Sequence, residues 1–300
     1  MKNLVWKQNL DISRVFPQSF DISDPQSEEF KDFREDFKFT FVISLLKMAE
    51  QSAVNFVKQN FEKAIICLAI VERRINVLSG RLFLEMQTNN QFNTSELDAV
   101  TDSMYDFLSK PNVTIDLTRT SYYRPLHRRF ADVKPAALKS QIVQTLAELE
   151  TLIGEKQFSL TDNRNLWIIK PGAQSRGRGI EIHSDLDEMM QRIRISGLSI
   201  WVVQKYIERP LVILGKKFDI RQWVIITSVT PLTIWVWKTP YLRFTSQDYN
   251  PANARNKFMH LTNASVSKED TSGSAAKVKR QGEHVIRNNM WEAHQMKAFL

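Results

Sequence analysis

The chain changes character at Gly154, and this change constrains its fold more than any other feature of the sequence. Before Gly154 the sequence is rich in helix-forming residues. After it, short runs are dense in Trp, Ile, Val, Tyr and Phe, the side chains that fit strands. We therefore predict a helical N-terminal region followed by an α/β or α+β part.

Apolar positions at helical spacing predict the helices of the first half. Residues 27–78 contain few helix breakers and predict one or two long amphipathic helices. Residues 95–108 predict a helix that begins at a Thr94/Ser95 cap, and residues 134–154 predict another with Pro135 near its start.

Six short runs in the second half predict strands: LWIIK, GIEIH, WVVQKYI, KFDIRQWVIIT, LTIWVWK and YLRFT. Residues 184–197 predict a helix with Ser184 as its cap and Gly197 as its stop. KFDIRQWVIIT and LTIWVWK predict an antiparallel hairpin with Pro231 at the bend. Beyond them, residues 268–283 predict a polar surface loop, and NNMWEAHQMKAFL predicts a short amphipathic helix.

Composition excludes several classes of protein. The single cysteine, Cys67, allows neither a disulfide framework nor a Cys/His metal cage, and it lies in an apolar run typical of a buried hydrophobe. The longest uncharged apolar stretches have 8 residues, too few to span a bilayer. With an N-terminus that has no signal-peptide core, we expect an intracellular protein without membrane insertion.

A formal net charge of +8 favours an acidic partner, which could be nucleic acid, an anionic membrane or an acidic protein tail. Charge alone does not choose among them. Nucleic acid is disfavoured because the aromatic residues have core spacing and no RNP-like or zinc-finger pattern is present.

The stretch WIIKPGAQSRGRGIEIH places Lys170 at the end of an apolar strand and follows it with a glycine- and arginine-rich loop. Backbone amides in such a loop can approach phosphate oxygens closely, and arginine adds forked hydrogen bonds. The loop lacks Walker spacing, and an ordinary hairpin turn is the alternative interpretation. An internal salt bridge is the alternative for Lys170.

Further polar side chains interrupt the apolar runs downstream. Alternation along KKFDIRQW places Lys217, Asp219 and Arg221 on one strand face, where a solvated edge with internal ion pairs is the alternative interpretation. Others lie in WVVQKYI, YLRFT and HLTN: Gln204, Lys205, Arg243, His260, Thr262 and Asn263. Taken singly, His260 fits a structural or surface histidine. Together these residues predict a site for a polyphosphate and a small charged substrate.

In order and spacing, WIIKPGAQSRGRGI, WVVQKYIERPL, KFDIRQWVIIT, LTIWVWK, YLRF and HLTNAS resemble the tubulin tyrosine ligase-like family of ATP-grasp ligases. The forms KPGxxSRGRGI and QKYIERPLxIxGxKFDxRQW most resemble its glycylase branch, which attaches glycine to tubulin side-chain carboxylates. The resemblance covers residues 160–265 closely and 289–300 weakly. It implies an α+β fold of ATP-grasp type, with a largely helical N-terminal region and an incomplete C-terminal sheet.

The resemblance also implies a role for each residue. Lys170 would hold the α- and β-phosphates of ATP. Arg221 and Arg243 would face the acyl-phosphate and the incoming amino acid. Trp235 and Trp237 are expected in the core of the second sheet. The remaining nucleotide contacts would be a lid formed by Gln174, Ser175, Arg176, Gly177, Arg178 and Gly179, an adenine hinge formed by Gln204, Lys205, Tyr206 and Ile207, direct contacts from Lys217 and Asp219, and a ribose and phosphate side lined by His260, Thr262 and Asn263.

Three parts are expected: a helical region over 1–110, a central ATP-grasp domain over 111–204, and an incomplete C-terminal domain over 205–300. Mg²⁺ would need an Asp and a Glu-x-Asn on strands beyond the end of this chain, and none of the residues of this chain is predicted to be a metal ligand. After HLTN we expect only the polar loop and the final helix. Implied partners are glycine and the acidic tail of tubulin, in the cytoplasm or a ciliary axoneme.

The main interpretation is an ATP-dependent tubulin glycine ligase or a truncated form of one. The same residues leave two alternatives open. One is a non-catalytic protein that binds nucleotide or tubulin, and the other is a tubulin glutamate ligase.

Overall fold

The computed structural model describes residues 16–81, 100–111, 113, 128–271 and 278–299. The chain divides into two compact units. Met1–Trp167 and Ser184–Glu208 form the first, whereas Ile168–His183 and Arg209–Leu300 form the second. The three-part division of the chain stays a prediction.

Helices predominate in the first half and strands in the second. The helices are α1 Glu28–Gln51, α2 Val54–Gln59, α3 Phe61–Leu78, α4 Asp102–Ser109, α5 Pro135–Ile153, α6 Glu155–Leu160, α7 Leu186–Ile195, α8 Lys257–His260, α9 Ala264–Glu269 and α10 Ala293–Phe299, with a 3-10 turn at Pro251–Asn253. The strands are β1 Ser19–Asp21, β2 Trp167–Pro171, β3 Glu181–His183, β4 Trp201–Lys205, β5 Val212–Ile213, β6 Lys216–Arg221, β7 Val224–Val229, β8 Leu232–Val236, β9 Tyr241–Phe244, β10 Val278–Gln281, β11 His284–Arg287 and β12 Met290–Glu292.

The first long predicted helical segment folds as three helices, α1 to α3, where one or two were predicted. α1 begins after Ser27, whose Oγ accepts a hydrogen bond from the Phe30 amide at 3.1 Å. It ends because Ser52 and Ala53 adopt extended backbone, and the chain changes direction before α2. The helical character of this segment is confirmed, and the number of helices differs.

Helix ends agree with the predictions where a proline or a glycine marks them. α5 has the predicted bounds, because Pro135 fits its first turn and Gly154 leaves the helix with φ of 85°. α4 begins later than predicted, since the extended Thr101 accepts a hydrogen bond from the Met104 amide at 3.2 Å. The predicted Thr94/Ser95 cap lies outside the described residues.

The cap of α7 differs from the prediction by one residue. Asp185 caps the helix, because its Oδ1 accepts a hydrogen bond from the Glu188 amide at 2.7 Å, and Ser184 lies one position outside. Gly197, with φ of 67°, follows the helix end as predicted.

An aromatic cluster forms much of the core of the first unit. Trp167, Phe33 and Phe37 are fully buried, and the two phenylalanine rings lie 5.5 and 5.9 Å from the indole. Helices α1, α3 and α5 pack against one another. Strands β1 and β4 pair antiparallel, with Phe20 opposite Val203. Burial of these large rings stabilises the unit.

The second unit contains a six-stranded antiparallel sheet in the order β10-β11-β12-β9-β6-β5. Its core is formed by Ile213, Leu214, Leu242, Phe244, Ile286 and Trp291, with Phe218, Met296 and Phe299 packed against them. β6 and β9 pair so that Asp219 lies opposite Arg243. This register brings residues far apart in sequence to one place on the sheet.

The prediction that Trp235 and Trp237 lie in a core is wrong. The predicted hairpin forms from β7 and β8, but no other described strand pairs with it, and the two indoles are 62% and 64% exposed. The predicted strand KFDIRQWVIIT is also interrupted. Gln222 lies between β6 and β7, and its Nε2 donates a hydrogen bond to the Trp237 carbonyl at 2.6 Å.

The segment after HLTN contains more regular structure than predicted. The predicted loop over 268–283 includes the end of α9 and all of β10, which pairs with β11. The predicted helix over 288–300 begins only at Ala293, because the preceding residues form β12 opposite β9. Trp291 explains this strand, since its buried ring packs edge-on against Phe244 at 5.3 Å.

Candidate functional site

The glycine-rich loop between β2 and β3 belongs to the second unit and has a backbone that suits glycine. Arg176 and Gly177 have positive φ angles of 61° and 81°. A Cβ on Gly177 would lie 2.9 Å from Cγ2 of Val266 and 3.3 Å from Oδ1 of Asn263. Ser265 donates from Oγ to the Arg176 carbonyl at 2.8 Å. The loop therefore lies against the first turn of α9, with no room for a larger residue at 177.

The second half of the loop closes on itself. A Cβ on Gly179 would lie 3.0 Å from both Pro171 Cγ and Gln174 Oε1, and the Arg178 amide donates to the Ser175 carbonyl at 3.2 Å. The side chains at 174, 175, 176 and 178 are exposed. A tight backbone with exposed amide and guanidinium groups can close around an anion.

Two lysines of the second unit repel each other electrostatically, and one of them directly precedes the loop. Lys170 is on β2 and Lys217 is on β6, both in the second unit. Burial lowers the pKa of Lys170. Burial, and then the Lys170 ammonium, lower the pKa of Lys217 to about 8, while Asp219 opposes the shift. Two mutually repelling, partly desolvated ammonium groups favour a bound anion, because an anion would relieve both effects.

His260, at the end of α8, is a buried neighbour of this pair. Its Nε2 lies 3.0 Å from the Asn253 carbonyl, and its ring meets the Tyr249 ring edge-on at 5.4 Å. Burial lowers its pKa, and the nearby Lys217 ammonium acts in the same direction. The imidazole is thus held neutral with Nε2–H as donor, as expected for a positioning or packing role.

Arg243 and Asp219 form a two-point ion pair across β9 and β6. The Nε to Oδ1 distance is 3.0 Å and the Nη2 to Oδ2 distance is 2.5 Å. Arg221 Nε lies 3.7 Å from the same carboxylate. Hydrogen bonds to Asp219 raise the pKa of Arg243, so this guanidinium is a fixed positive charge. One carboxylate therefore binds Arg243 through two hydrogen bonds and lies within ion-pair distance of Arg221 on one face of the sheet.

A cavity of about 520 Å³ lies beside this ion pair within the second unit. Arg243 and Thr262 line it together with Phe244, Ala264, Ser267, Lys268, Asp270, Asn288, Asn289 and Met290. Asn263 is the residue before α9, and its side chain makes no capping bond but has Oδ1 close to Gly177. The HLTN motif thus contacts both the loop and the cavity.

The four residues predicted as the adenine hinge belong to the first unit. Gln204 and Lys205 end β4, and the Lys205 and Tyr206 amides donate to the Gln18 and Leu166 carbonyls at 2.8 and 3.1 Å. Ile207 is 41% exposed. Their role in nucleotide binding stays a prediction.

Glu208 is a buried residue that was not among the predicted site residues. Its carboxylate accepts hydrogen bonds from the Leu166 amide at 2.8 Å and from Lys205 Nζ at 2.7 Å, and from two further amides at 162 and 164. The spacing Lys-x-x-Glu in QKYIERPL is the sequence signal that could have indicated it. The Lys205 side chain is therefore held within the first unit, so its predicted contribution to the hinge would come from its backbone.

Lys216 is a second buried residue that was not predicted, unlike its neighbour Lys217. It is 3% exposed, and Nζ donates to the Thr245 carbonyl at 2.9 Å and to the Ser246 carbonyl. Strand alternation puts Lys216 on the opposite face from Lys217. Its two hydrogen bonds connect β6 to the residues that follow β9.

Among the described residues there is no group of three or more His, Cys, Asp or Glu side chains that could hold a metal ion. The residues present therefore fit a phosphate better than a metal. The helices in the described part of the chain include none long and apolar enough to cross a membrane.

The described residues form an α+β chain in which a glycine-rich loop directly follows the half-buried Lys170, an arrangement that is typical of phosphate-binding loops. The family model described as "Tubulin-tyrosine ligase family" matches residues 84–299, and the chain belongs to this family. Its helices and antiparallel sheets agree with the α+β, ATP-grasp type of fold predicted from the sequence.

Curated relatives support the same assignment. Tubulin glycylase 3D of Tetrahymena thermophila is 28% identical over 100% of this chain and 33% of its own length. Tubulin monoglycylase TTLL3 of Homo sapiens is 31% identical over 89% of this chain and 35% of its own length. Tubulin glycylase 3B of Drosophila melanogaster is 45% identical over 52% of this chain and 20% of its own length. The chain spans about a third of the length of the first two relatives.

Proposed function

We propose that the protein is an ATP-dependent ligase that attaches glycine to glutamate side chains of tubulin. The observation that carries this proposal is the glycine-rich loop that directly follows Lys170 and packs against α9, in a family whose named relatives are tubulin glycylases. The Lys170 ammonium also acts on Lys217, whose pKa is lowered. Family membership implies the use of ATP and Mg²⁺. The relatives' names favour glycine over glutamate as the donor.

In the proposed reaction a tubulin carboxylate attacks the γ-phosphate of ATP, giving an acyl-phosphate and ADP. The glycine amine then attacks the acyl carbon, and phosphate leaves as the amide bond forms. Most of the enzyme's contribution is alignment of the reactants and neutralisation of charge, because little covalent chemistry falls to the protein.

Residues of the second unit would supply the positive charge that neutralises the phosphates and the acyl-phosphate. Lys170 and Lys217 would neutralise the phosphates, and the loop from Gln174 to Gly179 would close over them. Arg243, oriented by Asp219, would hold its guanidinium toward the acyl-phosphate. A fixed donor at the position where charge develops contributes roughly 10²- to 10³-fold in rate.

The net charge of +8 suits the acidic tail of tubulin, which opposite charge would steer toward the protein. Such steering weakens as salt rises, since the Debye length falls to about 8 Å at physiological ionic strength. We expect the activity on the cytoskeleton, and in cilia or flagella, where axonemal tubulin would be the substrate.

The proposal is tested with Lys170→Ala and the control Lys58→Ala, whose lysine is exposed on α2 of the other unit. In a chain extended to carry the Mg²⁺ ligands expected beyond residue 300, we expect the unsubstituted protein and the control to bind ATP in calorimetry and to transfer labelled glycine to tubulin. The Lys170 variant should lose both while keeping its circular dichroism spectrum.

Each other result rejects part of the proposal. Unchanged activity in Lys170→Ala would remove this residue from the site. Transfer of labelled glutamate in place of glycine would make the protein a glutamate ligase. ATP binding without transfer of either amino acid would favour the non-catalytic alternative.

A further inference from the structure

A second cavity, of about 260 Å³, lies within the first unit and is lined by residues of α1, α3, α5, α6 and β4. A drug-sized ligand needs roughly 300 Å³ or more, and a water molecule takes only about 30 Å³. The cavity therefore has room for one small organic molecule, of the size of a free amino acid. Apolar side chains form much of its wall: Phe39, Ile43, Leu78, Ile153 and Phe158.

Asp36 on α1 brings a buried carboxylate to this cavity. Its Oδ2 is buried and has no hydrogen-bond partner among the described residues. Burial raises the pKa of this carboxyl to about 6, although Arg74, a hydrogen bond from Gln18 and the charge of Lys205 act in the opposite direction. A buried carboxylate oxygen without a partner is costly, and a bound donor with a positive charge would remove that cost.

The charged residues in the described lining of the cavity are Asp36, Arg74 and Lys205. Lys205 is already paired, since its Nζ donates to Glu208 Oε1 and to the Leu166 carbonyl, each at 2.7 Å. Arg74 is half-buried, and its guanidinium lies over the Phe39 ring at 5.2 Å from the centroid. Asp36 and Arg74 thus present opposite charges to the same apolar cavity.

These groups restrict the class of ligand. A phosphate or a fatty acid would bring a second negative charge to Asp36. A metal ion would find only one carboxylate in the described lining, whereas hard cations take several oxygen ligands. An amino acid offers an ammonium for Asp36, a carboxylate for the fork of Arg74 and a side chain for the apolar wall.

We propose that this cavity binds a free amino acid with an apolar side chain, whose ammonium donates to Asp36 Oδ2 and whose carboxylate pairs with Arg74. The arginines proposed to face the incoming glycine, Arg221 and Arg243, belong to the second unit. The cavity is therefore a second amino-acid site, and its occupancy does not depend on the proposed ligase activity.

The first test titrates the unmodified full chain with L-leucine in a calorimeter. We expect one molecule to bind per chain and to raise the melting temperature. 3-Methylbutylamine lacks the carboxylate and 4-methylpentanoate lacks the ammonium, so each should bind at least tenfold more weakly than leucine, because each leaves one charged group of the cavity unpaired.

The second test changes the cavity itself. Asp36→Asn should weaken leucine binding at least tenfold, because the amide has no charge to pair with the ammonium. Leu78→Trp keeps both charged groups and fills the cavity from a position that is 47% exposed, so it should also abolish binding. The control Asp32→Asn changes an exposed acid one turn earlier on α1 and should bind leucine normally. Circular dichroism confirms that each variant is folded.

Arg243→Ala separates this cavity from the proposed glycine site. The substitution lies in the second unit and should leave leucine binding unchanged. Loss of leucine binding in this variant would assign the leucine to the glycine site and overturn the proposal.

Three other results would overturn it as well. One is no binding of leucine to the unmodified chain. Another is an affinity for 3-methylbutylamine or 4-methylpentanoate equal to that for leucine. The third is unchanged leucine binding in folded Asp36→Asn or Leu78→Trp.

Discussion

Asp219 and Arg243 face each other across the β6–β9 ladder and form a two-point ion pair, with Nε to Oδ1 at 3.0 Å and Nη2 to Oδ2 at 2.5 Å. Two parallel contacts fix the plane of the guanidinium as well as its position. Asp219 therefore orients Arg243, and Arg221, the other arginine proposed to face the acyl-phosphate, lies within ion-pair distance of the same carboxylate at 3.7 Å.

Asp219→Asn should therefore lower the rate of glycine transfer more than it lowers stability. The amide keeps one acceptor but loses the charge, so Arg243 is less firmly held, and we expect kcat to fall at least tenfold. The side chain of Asp219 is 36% exposed, so the free energy of unfolding should change by only about 1 kcal/mol. Steady-state kinetics and urea unfolding measure the two quantities.

Glu269→Gln is the matched control for Asp219→Asn. It breaks the exposed Lys257–Glu269 ion pair, whose Nζ to Oε2 distance is 2.5 Å, and should change neither quantity. An unchanged kcat in Asp219→Asn would mean that this carboxylate does not position the arginines.

Features with a short sequence period were predictable. Alternation along KKFDIRQW put Lys217, Asp219 and Arg221 on one strand face, and the ion pairs of Asp219 agree with that face. Pro135 and Gly154 marked the ends of α5 because each restricts the backbone locally. In each case the signal lies within a few neighbouring residues.

Features that depend on distant partners were not predictable. Trp235 and Trp237 have the pattern of core residues, but burial also requires an opposing surface, which the described residues do not provide. β12 is only three residues long and exists through its pairing with β9 and the packing of Trp291 on Phe244. A single sequence does not show which distant segments will meet.

Gly177→Ala tests whether the loop must lie against α9. A Cβ would lie 2.9 Å from Val266 Cγ2, in addition to the cost of about 1 kcal/mol for an alanine at positive φ. We expect ATP affinity in calorimetry to fall about tenfold or more, because the loop must move away from α9.

Gly197→Ala separates the effect of the contact with α9 from the cost of a positive φ angle. Gly197 has φ of 67°, and a Cβ at this position would have no atom within 4 Å, so only the backbone cost applies. The variant should lose about 1 kcal/mol of stability and bind ATP normally. Equal ATP affinity in the two variants would show that the contact with α9 has no role in binding.

Glu208→Gln should be strongly destabilising although it conserves shape. The buried Lys205 ammonium would lose the carboxylate that pairs with it at 2.7 Å, at a cost of about 3 to 5 kcal/mol. Urea denaturation measures this loss. Lys205→Met combined with Glu208→Gln should recover part of it, because the uncompensated charge is then absent. No recovery in the double variant would assign the loss to the amide hydrogen bonds of Glu208.

The last prediction concerns pH and rests on the lowered pKa of Lys217, about 8 in the protein without nucleotide. Below pH 8 the ammonium is charged and can pair with a phosphate. As pH rises above 8 the protein without nucleotide loses this proton, so ATP affinity should fall by up to about tenfold per pH unit. ATP itself is fully ionised over this range, because its terminal phosphate has a pKa near 6.

Without nucleotide, the free energy of unfolding should rise with pH over this range, whereas ATP affinity falls. Between pH 8 and the ordinary lysine value of 10.5, the unfolded chain holds more protons at this position than the folded chain, so Lys217 makes the free energy of unfolding rise. Lys217→Met should flatten both trends, and Lys58→Met should leave both unchanged. Calorimetric titrations and urea unfolding at several pH values measure them, and an ATP affinity that stays constant from about pH 7.5 to 9.5 in the wild type would exclude Lys217 from the phosphate site.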